Sequence, residues 1–191
     1  MGSFASLPIA IAAALLPQAA SQEAAPIEIS ALERGFRACM MQVSQGSYLE
    51  NEKAELLAQD KIIIRDDPPA DVKLMASQLF KAPTYAMIES DEGVVWITSQ
   101  ARLNVCKVTL SDAKNPLRTR LNFSGELFKT KAWIPDKTRS GTQGGLMREA
   151  FSLGTDPLKP TYYAMVDGPQ VVLNDGAGIQ AIITVARIER K

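Results

Sequence analysis

The first 21 residues set the strongest constraint on this chain, because they decide which part of it folds and in which compartment. Residues 4–16 are almost wholly apolar, and small residues follow up to Ser21. A short apolar core followed by small residues is typical of a secretory signal peptide, although no Lys or Arg precedes Arg34. We expect residues 1–21 to be a signal peptide cleaved after Ser21; a disordered Ala-rich tail is the alternative.

The rest of the chain is long enough to bury one hydrophobic core. We expect a linker over residues 22–29 and a single domain over residues 30–191 of a periplasmic or secreted protein. The apolar run is shorter than the about 20 residues that span a bilayer, so we expect no stable membrane anchor. Lys plus Arg equal Asp plus Glu at 21 each, which gives no electrostatic reason to expect a nucleic-acid partner.

Cys39 and Cys106 are the only cysteines in the chain. In an exported protein, an even pair of cysteines favours a disulfide, and two separate buried thiols are the alternative. Cys39 lies on the apolar stripe of a helix that we predict from a capping box at Ser30 and Glu33 to Gly46. Cys106 alternates with apolar residues along a predicted strand over 103–110, and it shares their face.

The remaining elements predict an α+β fold, an antiparallel sheet with helices packed on one face. Hairpin strands are expected at 85–89 and 94–98, and further strands near residues 162–166 and 179–188. Residues 146–153 fit either a helix or a strand. Further helices are expected over 50–59 and 71–80. A last helix starts at Pro116, with an inner stripe formed by Leu117, Leu121, Leu127 and Phe128.

A short internal sequence repeat indicates a possible duplication of part of the chain. Residues 83–85, Pro-Thr-Tyr, recur at residues 160–162, and the apolar residues that follow also coincide at the same spacing. A duplicated β-meander is one interpretation. Two unrelated meanders that use common residues are the other.

The absence of histidine excludes most familiar catalytic sets. With no His and two cysteines, Ser-His-Asp and Cys-His mechanisms and His-containing zinc sites are not available. Ser111 and Lys114 match the Ser-x-x-Lys spacing, but a chain of this length contains such a match by chance. We therefore assign no catalytic residue, and we expect no metal and no cofactor.

Four large aromatic residues are the candidates for a ligand site. They are Trp96, Trp133, Tyr162 and Tyr163. A cluster of such side chains on one open sheet face would form a pocket for a ligand. At strand positions they are also common as core residues, and both interpretations stay open.

Residues 36–39, Phe-Arg-Ala-Cys, and residues 106–108, Cys-Lys-Val, are followed by the helix predicted from Pro116. This order resembles small exported proteobacterial two-cysteine proteins of unknown function, over about residues 30 to 130. The resemblance implies a disulfide-linked α+β domain and brings no activity with it.

We expect an exported, non-enzymatic binding or envelope-associated protein, because the chain contains a signal-like segment and no convincing catalytic set. Its partner would be an unknown protein or small-molecule ligand. The alternative is a histidine-free hydrolase that uses Ser and Lys or paired carboxylates, which requires two such groups to converge in a pocket.

Overall fold

A computed structural model describes residues 29–52, 54–154, 160–170 and 178–188. The helices are α1 (Ala31–Gln45), α2 (Tyr48–Asn51), α3 (Ala54–Gln59), α4 (Ala70–Ser77) and α5 (Pro116–Lys129). The strands are β1 (Ile63–Ile64), β2 (Thr84–Ser90), β3 (Gly93–Ser99), β4 (Val105–Ser111), β5 (Trp133–Pro135), β6 (Gly141–Gln143), β7 (Leu146–Leu153), β8 (Tyr162–Pro169) and β9 (Ile179–Arg187). The predicted signal peptide over residues 1–21 lies outside the described residues.

The strands of the described part form one antiparallel sheet. Its order is β1-β2-β3-β4-β9-β8-β7-β5, and β6 also pairs with β7. The predicted α+β class is confirmed, and residues 146–153 are a strand. Helices α1 and α5 pack on one face, which we call the helix face. The short helix α4 lies on the opposite face, the open face, where Val72 packs on Met87 and Trp96.

Helix α1 starts and ends where the sequence predicts. The Ser30 hydroxyl accepts a hydrogen bond from the Glu33 backbone N–H at 3.2 Å. Gly46 ends the helix with a left-handed φ of 84°, which glycine adopts at little cost. Gly35 lets the helix lie close to the sheet, because a Cβ there would sit 3.0 Å from a side-chain carbon of Val108.

A disulfide joins α1 to the centre of the sheet. Cys39 and Cys106 are bonded, with their Cα atoms 5.3 Å apart, and both are fully buried. Side chains alternate across a strand, so Val108 and Leu110 share the helix face with Cys106, while Lys107 lies on the open face. The predicted bond and the predicted face of Cys106 are both confirmed.

The inner stripe predicted for α5 is largely wrong. Leu121 and Phe128 are 45% and 63% exposed, whereas Leu127 is buried as expected. The buried residues of the helical turns that face the sheet are Arg120, Phe123, Ser124 and Leu127. These positions follow the i, i+3, i+4, i+7 spacing of one helix face. Reasoning from apolar residues alone selected the neighbouring face, because two members of the true stripe are polar.

Two of the other predicted helices also differ in extent. The helix predicted over 50–59 is instead the two short helices α2 and α3, because Glu52 has extended backbone angles and caps the end of α2. The helix predicted over 71–80 starts one residue earlier and ends at Ser77, although Phe80 beyond it is buried. These changes leave the order of elements as predicted.

Two three-stranded meanders lie side by side in the sheet. Strands β2, β3 and β4 form one, strands β7, β8 and β9 form the other, and the β4–β9 pair joins them. A long helix, α1 or α5, precedes each meander. The ungapped sequence repeat would instead match β2 with β8 and β4 with β9, but β8 pairs directly with β9 whereas β3 separates β2 from β4. The strands that the sequence repeat matches therefore do not hold equivalent places in the two meanders.

Candidate functional site

A groove of about 720 Å³ crosses the open face of the sheet. Its floor is formed by Lys107 of β4 and by Ile182 and Thr184 of β9. Met75 of α4 borders one side, and the loop and hairpin over residues 139–146 border the other. The groove thus lies at the seam between the two meanders, on the face opposite to the long helices α1 and α5.

Lys107 is the central cation of this groove. Its position opposite Thr184 in the β4–β9 register places it on the floor. Desolvation by the surrounding protein lowers the pKa of the Lys107 amine, and the negative charge of Asp167 opposes that shift. Within the described residues Lys107 forms no ion pair; its Nζ donates to the Met75 carbonyl at 3.5 Å. A half-buried ammonium is therefore left without a bonded counter-charge.

Arg148 and Asp167 form a fixed ion pair on the groove wall. They are direct neighbours in the β7–β8 register. Arg148 Nε donates to Asp167 Oδ1 at 2.6 Å, and Nη2 donates to Oδ2 at 3.0 Å. This two-point geometry holds the guanidinium in one orientation, and the bond to Asp167 raises the pKa of Arg148.

The loop over residues 136–140 is organised by one carboxylate. Asp136 Oδ1 accepts from the Thr138 hydroxyl at 2.6 Å, and Oδ2 accepts from Arg139 Nη1 at 2.6 Å. The bond from Thr138, more than that from Arg139, lowers the pKa of Asp136. Arg139 also lies over the Tyr163 ring, 4.3 Å from its centre, in a cation–π contact. The loop thereby presents Arg139 to the groove in a fixed position.

The Gly-rich stretch after this loop is part of a hairpin. Residues Gly141–Gln143 form β6, which pairs with the start of β7. Gly144 and Gly145 make the turn with φ values of 58° and 78°, and a two-residue hairpin turn of this kind requires positive φ at both positions. The sequence predicts only a flexible turn here, because three residues are too few to show a strand pattern.

The four aromatic candidates do not form one cluster. Trp133 is 7% exposed in the helix-face core, where its ring lies edge-on to Phe36 at 5.5 Å. Tyr162 also packs against that core. Trp96 is buried under α4 on the open face, and Tyr163 lies under Arg139. Of the four, Tyr163 contacts a residue of the groove, and its predicted role in ligand binding stays a prediction.

Ser111 is buried whereas Lys114 is exposed, so the two side chains lie in different surroundings. Ser111 ends β4, is 4% exposed, and its hydroxyl donates to the Val94 carbonyl at 3.5 Å. Lys114 is exposed in the turn before α5. The cap of that helix is Asn115, whose side chain accepts from a backbone N–H. Ser111 therefore lies at the end of a strand and Lys114 in the turn that follows it.

Sequence reasoning missed the charged residues of the groove. Lys107 of β4 and Asp167 of β8 each lie between two buried residues of the same strand, whereas the neighbours of Arg148 in β7 are only partly buried. A charged residue between two buried residues of a strand is the sequence signal that points to Lys107 and Asp167. Lys107 lies 41 residues before Arg148 and 60 residues before Asp167, however, and the β4–β9, β8–β9 and β7–β8 pairings bring the three together.

The described part of the chain bears on metal binding and on membrane insertion. In that part, no three His, Cys, Asp or Glu side chains group in a way that could hold a metal ion. Its helices are also too short or too polar to cross a membrane. Comparison of the chain with known protein families, with curated proteins and with solved structures finds no match.

Proposed function

We propose that this is an exported, non-enzymatic binding protein that holds a small anionic molecule in the open-face groove. The observation that carries the proposal is Lys107, a half-buried ammonium with no ion pair in the described part of the chain. Burying a cation is costly unless an anion or good hydrogen bonds compensate it. A carboxylate or phosphate group of a ligand supplies that compensation.

The surroundings of Lys107 support an anionic ligand of small-molecule size. Arg139 and Arg148 line the groove with it, and among the described lining residues Asp167 is the one carboxylate. The guanidinium groups are held in place by their carboxylate partners, which reduces the ordering cost of binding. A groove of about 720 Å³ falls within the range of about 300–1,000 Å³ that is common for small-ligand sites.

Polar groups beside the cations favour a ligand that also carries hydroxyls or amides. Thr142, Gln143 and Thr184 all line the groove, and their side chains both donate and accept hydrogen bonds. Met75 and Ile182 add apolar surface. This mixture suits a compact polar acid, in which one carboxylate or phosphate binds the cations and neutral oxygens bind the walls.

Calorimetric titration with citrate and with inorganic phosphate tests the proposal, with glucose as the uncharged control. A charge-assisted hydrogen bond is worth about 1.5–3 kcal/mol, so Lys107→Met should weaken anion binding about tenfold or more. Lys73→Met removes the same charge from an exposed position on α4, and it should leave affinity unchanged. Equal affinities in the two variants, or binding of none of the anions, would contradict the proposal.

Export to the periplasm or medium is the second part of the proposal. A buried disulfide is compatible with an oxidising compartment, and the apolar start of the chain supports a signal peptide. The intact mass of protein recovered from the periplasm should correspond to cleavage after Ser21 and should rise by two hydrogens on reduction. An uncleaved chain that accumulates in the cytosol would contradict export.

A further inference from the structure

The guanidinium of Arg120, a residue of α5, is buried and forms no ion pair with any residue that the structure describes. The residue is 2% exposed, and within the described part of the chain its Nε and Nη1 atoms have no hydrogen-bond partner. Its Nη2 atom contacts the Met147 sulfur at 3.9 Å, which is a weak acceptor. An arginine side chain stays charged at any accessible pH. A positive charge is therefore buried at this position.

Gly168 on β8 provides the space for this guanidinium. A Cβ at this position would lie 2.6 Å from Arg120 Nη1 and 3.0 Å from its Cδ, so a larger residue would force the arginine to move. Gly168 pairs with Met147 in the β7–β8 register. The sheet thus accommodates a cation at a site where the described residues supply no anion to neutralise it.

A second groove, of about 520 Å³, lies beside this buried charge between α5 and β7; we call it the helix-face groove. Much of its lining is apolar, including Leu121 and Phe128 of α5 and Phe151 of β7. Leu121 and Phe128 are the large apolar residues that α5 leaves exposed. Met147 both lines the groove and contacts Arg120, so it separates the apolar groove from the guanidinium.

We propose that the helix-face groove binds an amphiphile with a single anionic head, and that Arg120 binds this head. The apolar body would lie along Leu121 and Phe128, where contact with a ligand removes exposed apolar surface from water. Met147 has a flexible side chain whose rotation opens the way to Arg120.

Glu149 favours one orientation of the amphiphile in this groove. Its carboxylate also lines the groove, where its Oε2 atom accepts from the Ser124 hydroxyl at 2.8 Å. An anionic head is repelled at that point and attracted towards Arg120. Arg148 and residues 140–142 border both grooves, but the helix-face groove lies mainly between α5 and β7 and is not lined by Lys107.

Calorimetric titration with decanoate, acetate and 1-decanol separates the head from the apolar body. The wild type should bind decanoate at least tenfold more tightly than either acetate or 1-decanol. Arg120→Met should remove the preference of decanoate over 1-decanol, whereas Arg118→Met, an exposed charge on the same helix, should keep it. If acetate binds as tightly as decanoate, or if Arg120→Met keeps the preference, the proposal is wrong.

A second variant covers the case in which Arg120→Met does not fold. Phe128→Ser changes a side chain that is 63% exposed, so the fold should tolerate it. We expect it to weaken decanoate binding severalfold and to leave acetate binding unchanged; unchanged decanoate binding would overturn the proposal. Lys107→Met should not affect decanoate, which separates this result from failure of the proposed function.

Discussion

The two faces of the β4–β9 seam have opposite characters although the same strands form both. On the helix face, Cys106 and Val108 of β4 and Ile183 of β9 are fully buried beneath α1. On the open face, Lys107 and Thr184 from the same strands line the open-face groove. Alternation along each strand produces this difference. It indicates that the seam contributes to the core on one side and is accessible to solvent on the other, so changes on the two sides of the seam should have different consequences.

Loss of the disulfide should be the largest effect on stability. The bond joins positions 67 residues apart, and the loop-entropy argument gives a contribution of about 4 kcal/mol for a loop of this size. Denaturant unfolding with and without reductant measures it. The control is Cys39→Ala with Cys106→Ala, which reductant should not affect. If reductant does not shift the midpoint of the wild type, the helix face does not depend on this bond as we describe.

Substitution of two adjacent isoleucines of β9 compares the contributions of the two faces to stability. Ile183 is fully buried on the helix face, while Ile182 is half-buried in the open-face groove. Ile183→Ala should lower the free energy of unfolding by about 2–5 kcal/mol. Ile182→Ala, which removes the same atoms, should cost less than about 1.5 kcal/mol. Equal losses in urea unfolding would show that both faces contribute alike to the core.

Neutralising Asp167 should affect binding more than stability. An ion pair with a partly exposed arginine is worth about 0.2–1 kcal/mol, and Arg148 in this pair is 49% exposed. Asp167→Asn should therefore lower stability by no more than that amount. It should also tighten citrate binding, since Asp167 is the carboxylate that lines the groove. Weaker citrate binding would mean that the orientation of Arg148 matters more than the net charge.

Protonation of Lys107 should give the smallest effect, which is a change in how the free energy of unfolding varies with pH. Burial lowers the pKa of this amine in the folded protein below its ordinary value near 10.5. Between the two values the unfolded chain binds more protons, so stability rises as pH increases towards 10.5 and falls as pH drops through the folded pKa. Lys107→Met should lack this rise in urea unfolding curves measured from pH 8 to 10.5. An identical slope in both proteins would contradict the burial of the amine.

Local patterns were enough to predict the bounds of α1 and the face of β4 that it covers. The Ser30 cap, the glycine at position 46 and the alternation around Cys106 are each read from a short stretch of sequence, and the structure shows all three. The inner stripe of α5 was predicted wrongly because Arg120 and Ser124, which are polar, occupy buried positions. Periodicity of apolar residues cannot reveal a polar residue that tertiary packing buries.

The open-face groove could not be predicted from such patterns. Lys107, Arg139 and Asp167 come from three distant parts of the chain, and strand pairing and the loop held by Asp136 bring them together. Alternation along a strand predicts which side of its own strand Lys107 or Asp167 lies on. Only the order in which the strands pair determines that the two side chains lie near each other. The aromatic residues drew attention instead, although Trp133 and Trp96 are buried on opposite faces of the sheet.

An amide chemical-shift map recorded during a citrate titration tests most directly whether the open face is the binding face. The largest shifts should occur at Lys107, Arg148 and Thr184, with little change along α1. In Lys107→Met the same signals should move only at a citrate concentration about tenfold higher. Shifts concentrated along α1, or an unchanged titration in the variant, would contradict binding of citrate in the open-face groove.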